Sequence, residues 1–147
     1  MKDELTNITK DLLTLIETQA EIEVVENEDS LDVNFSNTQD AGLLIGFRGE
    51  NISAFQTILA MILKQRTGEW KRVNVNIGDY KEKQEEKLKN LAEQSANRAV
   101  ETGSEEPIYN LTPSQRRIIH MYLSERKDVV TESVGVEPER YLVVKPK

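Results

Sequence analysis

Between Leu5 and Gln19, apolar residues fall at 5, 8, 12, 13, 15 and 16. That spacing predicts a helix with one buried face. Two extended runs follow, residues 21–26 and 31–35, separated by the polar turn Asn27–Ser30. In the second run Leu31, Val33 and Phe35 alternate strictly with polar residues, so the pair reads as a hairpin with one wet face. After a turn around residues 37–40, the stretch from Ala41 predicts a short helix before Gly46. A longer helix carries apolar residues at 52, 55, 58, 59, 62 and 63 and ends near Thr67-Gly68, where glycine can take a left-handed cap. Val73, Val75 and Ile77 alternate again and predict a third strand. The first 78 residues thus read α-β-β-α-α-β.

Residues 81–101 form a long charged helix with Leu88, Leu91, Ala92 and Ala99 facing inward, closed by Gly103 and Pro107. An extended piece covers 107–111. Thr112-Pro113-Ser114-Gln115 is a helix start: Thr112 can cap, Pro113 suits the first helical position and Gln115 completes a capping box. This helix runs to about Ser124. Two β-rich runs, 129–134 and 140–144, close the chain with Gly135 and Pro138 between them. The second part reads α-β-α-β-β. The fold class is α+β, two small domains at 1–78 and 79–147, with no Gly/Ser linker between them.

Composition narrows the chemistry. The 147 residues include no cysteine and one histidine, which excludes disulfides, thiolate zinc sites and His-pair metal sites. No cofactor or metal is expected. No apolar run approaches the roughly 20 residues of a membrane span, and Met1-Lys2-Asp3-Glu4 has no signal-peptide shape, so a cytoplasmic protein is expected. The net charge of −7 argues at first against a nucleic-acid binder. Its distribution reverses that. Residues 1–45 hold 11 acidic and 2 basic residues, net −9, whereas residues 46–72 hold 5 basic and 2 acidic, net +3. Residues 112–147 hold 7 basic and 5 acidic residues, net +2.

Gly46-Phe47-Arg48-Gly49 lies between two helical segments. Two glycines three apart let backbone approach backbone or a phosphate closely, and amides at the start of the next helix favour anions. Arg48 would add a charge-assisted contact. A tight bend that needs glycine only for geometry is the alternative, because G-x-x-G is a weak pattern. The basic residues Lys64, Arg66, Lys71 and Arg72 fit a phosphate-binding surface, or simply complement a helix C-terminus.

Further on, Arg116 and His120 are four apart on one helix face. They are expected on the flank of the buried stripe of Ile118, Ile119, Tyr122 and Leu123, partly exposed and side by side. A cation beside a ring suits a phosphate and a base, although a local hydrogen bond and a surface ion pair would explain both residues equally. Trp70 is expected as a partial core anchor rather than a stacking platform.

The glycine loop within α-β-β-α-α-β order resembles a type II KH domain, a fold that clamps about four nucleotides with such a loop. The stretch Thr112–His120, followed by Ser133-Val-Gly-Val-Glu-Pro-Glu-Arg140 and Tyr141–Val144, is similar to the R-3-H single-stranded nucleic-acid-binding domain. Together with residues 45–50, Phe55-Gln56, Tyr80-Lys-Glu-Lys83, Leu88 and Leu91-Ala92, the order resembles the bacterial Jag family over essentially the whole chain. The resemblance implies a non-enzymatic cytoplasmic regulator or chaperone of RNA that binds single-stranded RNA, or single-stranded DNA, and is often partnered with a small single-KH protein. It implies binding through Gly46, Phe47, Arg48 and Gly49, and through Arg116, Arg117, His120 and Arg140. This sequence departs from the family pattern at Phe47 and Gln84, both usually basic, and by lacking a separate N-terminal Jag domain. The alternative function is a protein–protein adaptor using the KH sheet or its acidic face. An enzyme is disfavoured, since no nucleophile–base pair, P-loop or metal cluster is legible.

Overall fold

A computed structural model describes all 147 residues. The chain opens with α1 (Lys2–Leu15), followed by the antiparallel strands β1 (Glu21–Glu26) and β2 (Ser30–Ser36). Helix α2 (Ala41–Ile45) leads through one 3-10 turn (Phe47–Gly49) into α3 (Glu50–Thr67), and β3 (Arg72–Ile77) returns parallel to β2. The sheet order is β1-β2-β3. Next come α4 (Tyr80–Thr102), β4 (Glu106–Ile108), α5 (Pro113–Leu123), β5 (Val129–Val134) and β6 (Tyr141–Pro146). The second sheet is antiparallel, in the order β4-β6-β5. The α+β class and the element order are those the sequence predicts. The chain divides into two units, Met1–Lys81 and Glu82–Lys147.

In the first unit the alternation in β2 and β3 puts Leu31, Val33, Phe35, Val73, Val75 and Ile77 on one face, all buried. Leu5 and Ile8 of α1 and Leu59 and Leu63 of α3 cover that face, and Phe55 meets Phe35 edge-on with centroids 6.3 Å apart. Each such side chain contributes roughly 1.5–3 kcal/mol on burial. Gln56 turns back from α3 and its Oε1 accepts from the backbone N–H of Val75 at 3.0 Å, so a donor on an edge strand is satisfied without another strand. The other edge, β1, carries Glu21, Glu23 and Glu26, charges that discourage strand addition.

The second unit has its own core, built from Leu88, Ala92, Ala96 and Ala99 of α4, Ile119 and Leu123 of α5, and Ile108, Val129, Leu142 and Val144 of the sheet. The alanines on α4 let backbones approach closely. Arg126 ties α4 to the turn before β5: its guanidinium donates to Glu93 (3.2 Å), Asn97 (2.9 Å) and Asp128 (2.7 Å).

Three expectations are corrected. Helix α1 stops at Leu15, not Gln19. Glu17 takes φ 56°, and Thr18 turns inward to donate to Asp40 at 2.7 Å, leaving Leu15 exposed. Trp70 is not a core anchor: it is 63% exposed, because the β3 stripe begins only at Val73 and the residues before it lie outside the packed layer. Finally, the basic residues of 46–72 do not gather near the glycine loop. Helix α3 is 18 residues long, about 27 Å at 1.5 Å per residue, and it separates Arg48 from Lys64, Arg66, Lys71 and Arg72. Two of those four are already paired, Arg66 with Glu4 at 2.9 Å and Lys71 with Glu26 at 3.2 Å.

Candidate nucleic-acid interface

The turn from α2 into α3 is built from left-handed backbone. Gly46 (φ 71°), Arg48 (φ 54°) and Gly49 (φ 76°) all have positive φ. Gly46 combines this with ψ 178°, a region in effect open only to glycine. A Cβ there would lie 2.6 Å from Cγ of Asn51, whose amide is held by donation to the carbonyl of Leu43 at 2.6 Å. Gly49 is buried, and the Tyr80 hydroxyl would lie 3.2 Å from a Cβ placed on it. Asn51 and Tyr80 therefore shape the loop. In the sequence Tyr80 is legible only as part of the family resemblance and Asn51 not at all, because a side chain that presses on a glycine leaves no local pattern.

The loop points two groups outward. Phe47 is 72% exposed, and the Arg48 guanidinium carbon sits 5.0 Å from the centre of its ring. Arg48 makes no ion pair. Glycine at the N-cap of α3 supplies no side-chain acceptor; the amides of Gly49 and Glu50 donate instead to the carbonyls of Gly46 and Phe47 in the preceding turn. A cation and an aromatic face thus lie side by side on the loop. Their chemistry suits an anionic ligand that also carries a planar group.

The second cluster begins with a cap. Thr112 Oγ1 accepts from the Gln115 amide at 3.2 Å, and Gln115 Oε1 accepts from the Thr112 amide at 2.9 Å, the reciprocal capping box the sequence predicts. That fixes where α5 starts and therefore which way residues 116, 117 and 120 face.

Arg116 is not on an exposed flank. It is 5% exposed. Its side chain leans back toward the helix start, as helical side chains do. Its guanidinium donates to the carbonyls of Leu111 (2.7 Å) and Arg140 (3.2 Å) and forms an ion pair with Glu137. The partners come from two separate segments, the stretch before α5 and the loop between β5 and β6, so helical spacing alone could not reveal them. His120 is exposed, and its Nδ1 shares a hydrogen bond with the Thr131 hydroxyl on β5. Arg116 and His120 share a helix but not an environment. Arg117 is exposed and without an ion pair. Arg140 is half-buried and donates to the Gly135 carbonyl at 2.7 Å, closing the loop that Arg116 holds from inside.

Electrostatics elsewhere in this unit are structural. Hydrogen bonding to Arg126 holds the Asp128 carboxyl below its ordinary range, and Lys145 does the same for Glu132. A hydrogen bond to Glu93, with partial burial, raises the Tyr122 hydroxyl. No group of three or more His, Asp or Glu side chains is arranged to hold a metal, and no helix is long and apolar enough to cross a membrane.

An α-β-β-α-α-β unit turning on a glycine loop, followed by an α-β-α-β-β unit locked by a helical arginine, defines a KH domain followed by an R-3-H domain. Residues 2–77 match the family described as KhpA/KhpB, KH domain, and residues 86–146 match the R-3-H domain family. The chain belongs to the KhpA/KhpB family. It is similar to the RNA-binding protein KhpB of Clostridium symbiosum, 32% identical over 126 residues, 86% of this chain and 56% of that protein. It is similar also to the proteins of that name from Streptococcus pneumoniae, 33% identical over 108 residues (74% of this chain, 33% of the relative), and Bacillus subtilis, 32% over 111 (74% and 53%). The chain thus spans between a third and just over half the length of these curated relatives.

Proposed function

We propose that this protein binds single-stranded RNA at two places, one in a KH domain at 1–78 and one in an R-3-H domain at 79–147. The carrying observation is the run of positive φ at Gly46, Arg48 and Gly49 directly before the uncapped start of α3. That backbone presents two exposed side chains, of which Arg48 can contact a phosphate and Phe47 can stack on a base. In the second domain Arg117 and His120 are the groups free to meet RNA. Arg116 and Arg140 shape the surface beside them. Two weak sites on one chain gain avidity through effective concentration. The relatives' name, RNA-binding protein KhpB, supports the same ligand class.

A labelled single-stranded RNA titrated at 50 and 200 mM salt tests this. Phosphate contacts release counterions, so two or three of them predict affinity lower by about tenfold at the higher salt. The same affinity at both would remove phosphate clamping as the mechanism.

A second reading has its own observation. Leu43 of α2 and Phe47 of the turn that follows it are exposed apolar residues, which suits an adaptor that docks a protein such as a small single-KH partner. Phe47→Asp with Arg48→Asp separates the two. Lost RNA binding with partner binding intact supports the first reading; the reverse outcome supports the adaptor.

A further inference from the structure

The outer face of the second sheet carries an aromatic pair that neither the glycine loop nor helix α5 uses. Ile108, Leu142 and Val144 point into the core, so their strand neighbours point the other way. Ile108 pairs with Leu142 across β4 and β6, and one step further along the same register Tyr109 meets Tyr141. The rings lie 4.9 Å apart at 42°, within the range of favourable aromatic pairs. Tyr109 is 60% exposed although large and apolar-faced. Val136, in the loop that enters β6, is 80% exposed.

The buried guanidinium of Arg116 fixes these pieces. Its two carbonyl acceptors are Leu111, two residues after Tyr109, and Arg140, immediately before Tyr141. Its carboxylate partner, Glu137, directly follows Val136. One side chain therefore clamps both segments that present the tyrosines and the loop beside them. That is more support than an incidental surface pair needs.

We propose that Tyr109 and Tyr141 form a stacking platform for a base of single-stranded RNA, and that Arg116 is its positioning residue rather than an RNA contact. The inference rests on the RNA-binding reading above. RNA is favoured over a protein ligand because the platform is a pair of rings with hydroxyls, Tyr109 exposed and Tyr141 half-buried beside it, and every base can offer a π-face to such a surface. Val134 stands opposite Tyr141 and Val136 is exposed beside it; a loss of affinity confined to RNA that carries bases separates stacking from plain apolar contact.

The test uses the full chain and a fluorescein-labelled twelve-nucleotide uridine RNA, with an otherwise identical RNA carrying abasic residues. Base stacking on an aromatic side chain predicts that Tyr109→Leu with Tyr141→Leu lowers affinity for the uridine RNA by about tenfold. Affinity for the abasic RNA changes little, and Tyr109→Phe with Tyr141→Phe binds nearly as wild type. Tyr109→Leu alone, at an exposed position, is expected to fold normally and show part of the loss. Arg116→Lys should weaken binding of the uridine RNA in wild type but add little to the double leucine variant, which a direct phosphate contact would not do. Unchanged affinity of the leucine variants, an equal loss on both RNAs, or an equal loss in the phenylalanine variants would overturn the platform. If those variants bind as wild type while Arg48→Gly is impaired, RNA binding stands without the platform. If the wild-type chain binds neither RNA, both ideas fall together.

Discussion

At the scale of single residues, backbone conformation separates folding from binding within the glycine loop. Arg48 already occupies the left-handed region at φ 54°, a conformation glycine adopts without strain. Arg48→Gly is therefore expected to leave the melting temperature within a few degrees of wild type while weakening RNA binding. Gly46 offers the opposite case. A Cβ there needs an unfavourable φ/ψ pair and displaces Asn51, so Gly46→Ala should destabilise the first unit by about 1–3 kcal/mol in chemical denaturation. Arg116 behaves differently from both. Its removal strands two backbone carbonyls, at a cost of roughly 2–3 kcal/mol, and lysine cannot reproduce the planar fork. Denaturation of Arg116→Lys and Arg116→Met, both clearly less stable than wild type, checks this; wild-type stability in either would mean that the guanidinium is not a structural clamp.

At the scale of elements, what could be read in advance depended on how far the responsible contacts reach along the chain. The alternation in β2 and β3, the left-handed Gly68 that ends α3 and the capping box of α5 are all set by neighbours within a few residues, and each was legible. The burial of Arg116 was not, because Leu111 comes from the stretch before α5 and Glu137 and Arg140 from the loop between β5 and β6. The tyrosine pair was hidden for the same reason: residues 107–111 read as extended, but only pairing with β6 places Tyr109 opposite Tyr141. The basic run after Arg48 misled because eighteen helical residues carry its members to the far end of α3. The capping box gives a local prediction. Thr112→Ala should destabilise α5 by about 1 kcal/mol, measured by denaturant midpoint. Two ion pairs, one within the turn before β5 and one between β5 and β6, give another. The carboxyls of Asp128 and Glu132 are held below their ordinary range in the fold. Their stabilising contribution is thus complete above their unfolded pKa values and is lost as pH falls through the lowered ones. Both are solvent-exposed pairs, so the loss is small. Thermal melts from pH 6 to 3 should show a shallower acid decline in Glu132→Gln than in wild type.

At the scale of the whole molecule, the −7 charge describes an average that neither site experiences. Residues 1–45 contribute net −9, and some of that charge is taken up in ion pairs such as Glu4–Arg66 and Glu26–Lys71. Arg48 and Arg117 remain exposed and without ion pairs. An acidic protein with a few free cations should bind RNA through a small number of phosphates, with little non-specific affinity for duplex. The most direct measurement is the affinity of the full chain for a single-stranded uridine RNA at 50 and 200 mM salt, for wild type and Arg48→Gly in parallel. Wild-type affinity is expected to fall by about tenfold at the higher salt, and the variant to bind more weakly with a shallower salt dependence. Equal affinity and equal salt dependence in the two proteins would contradict this.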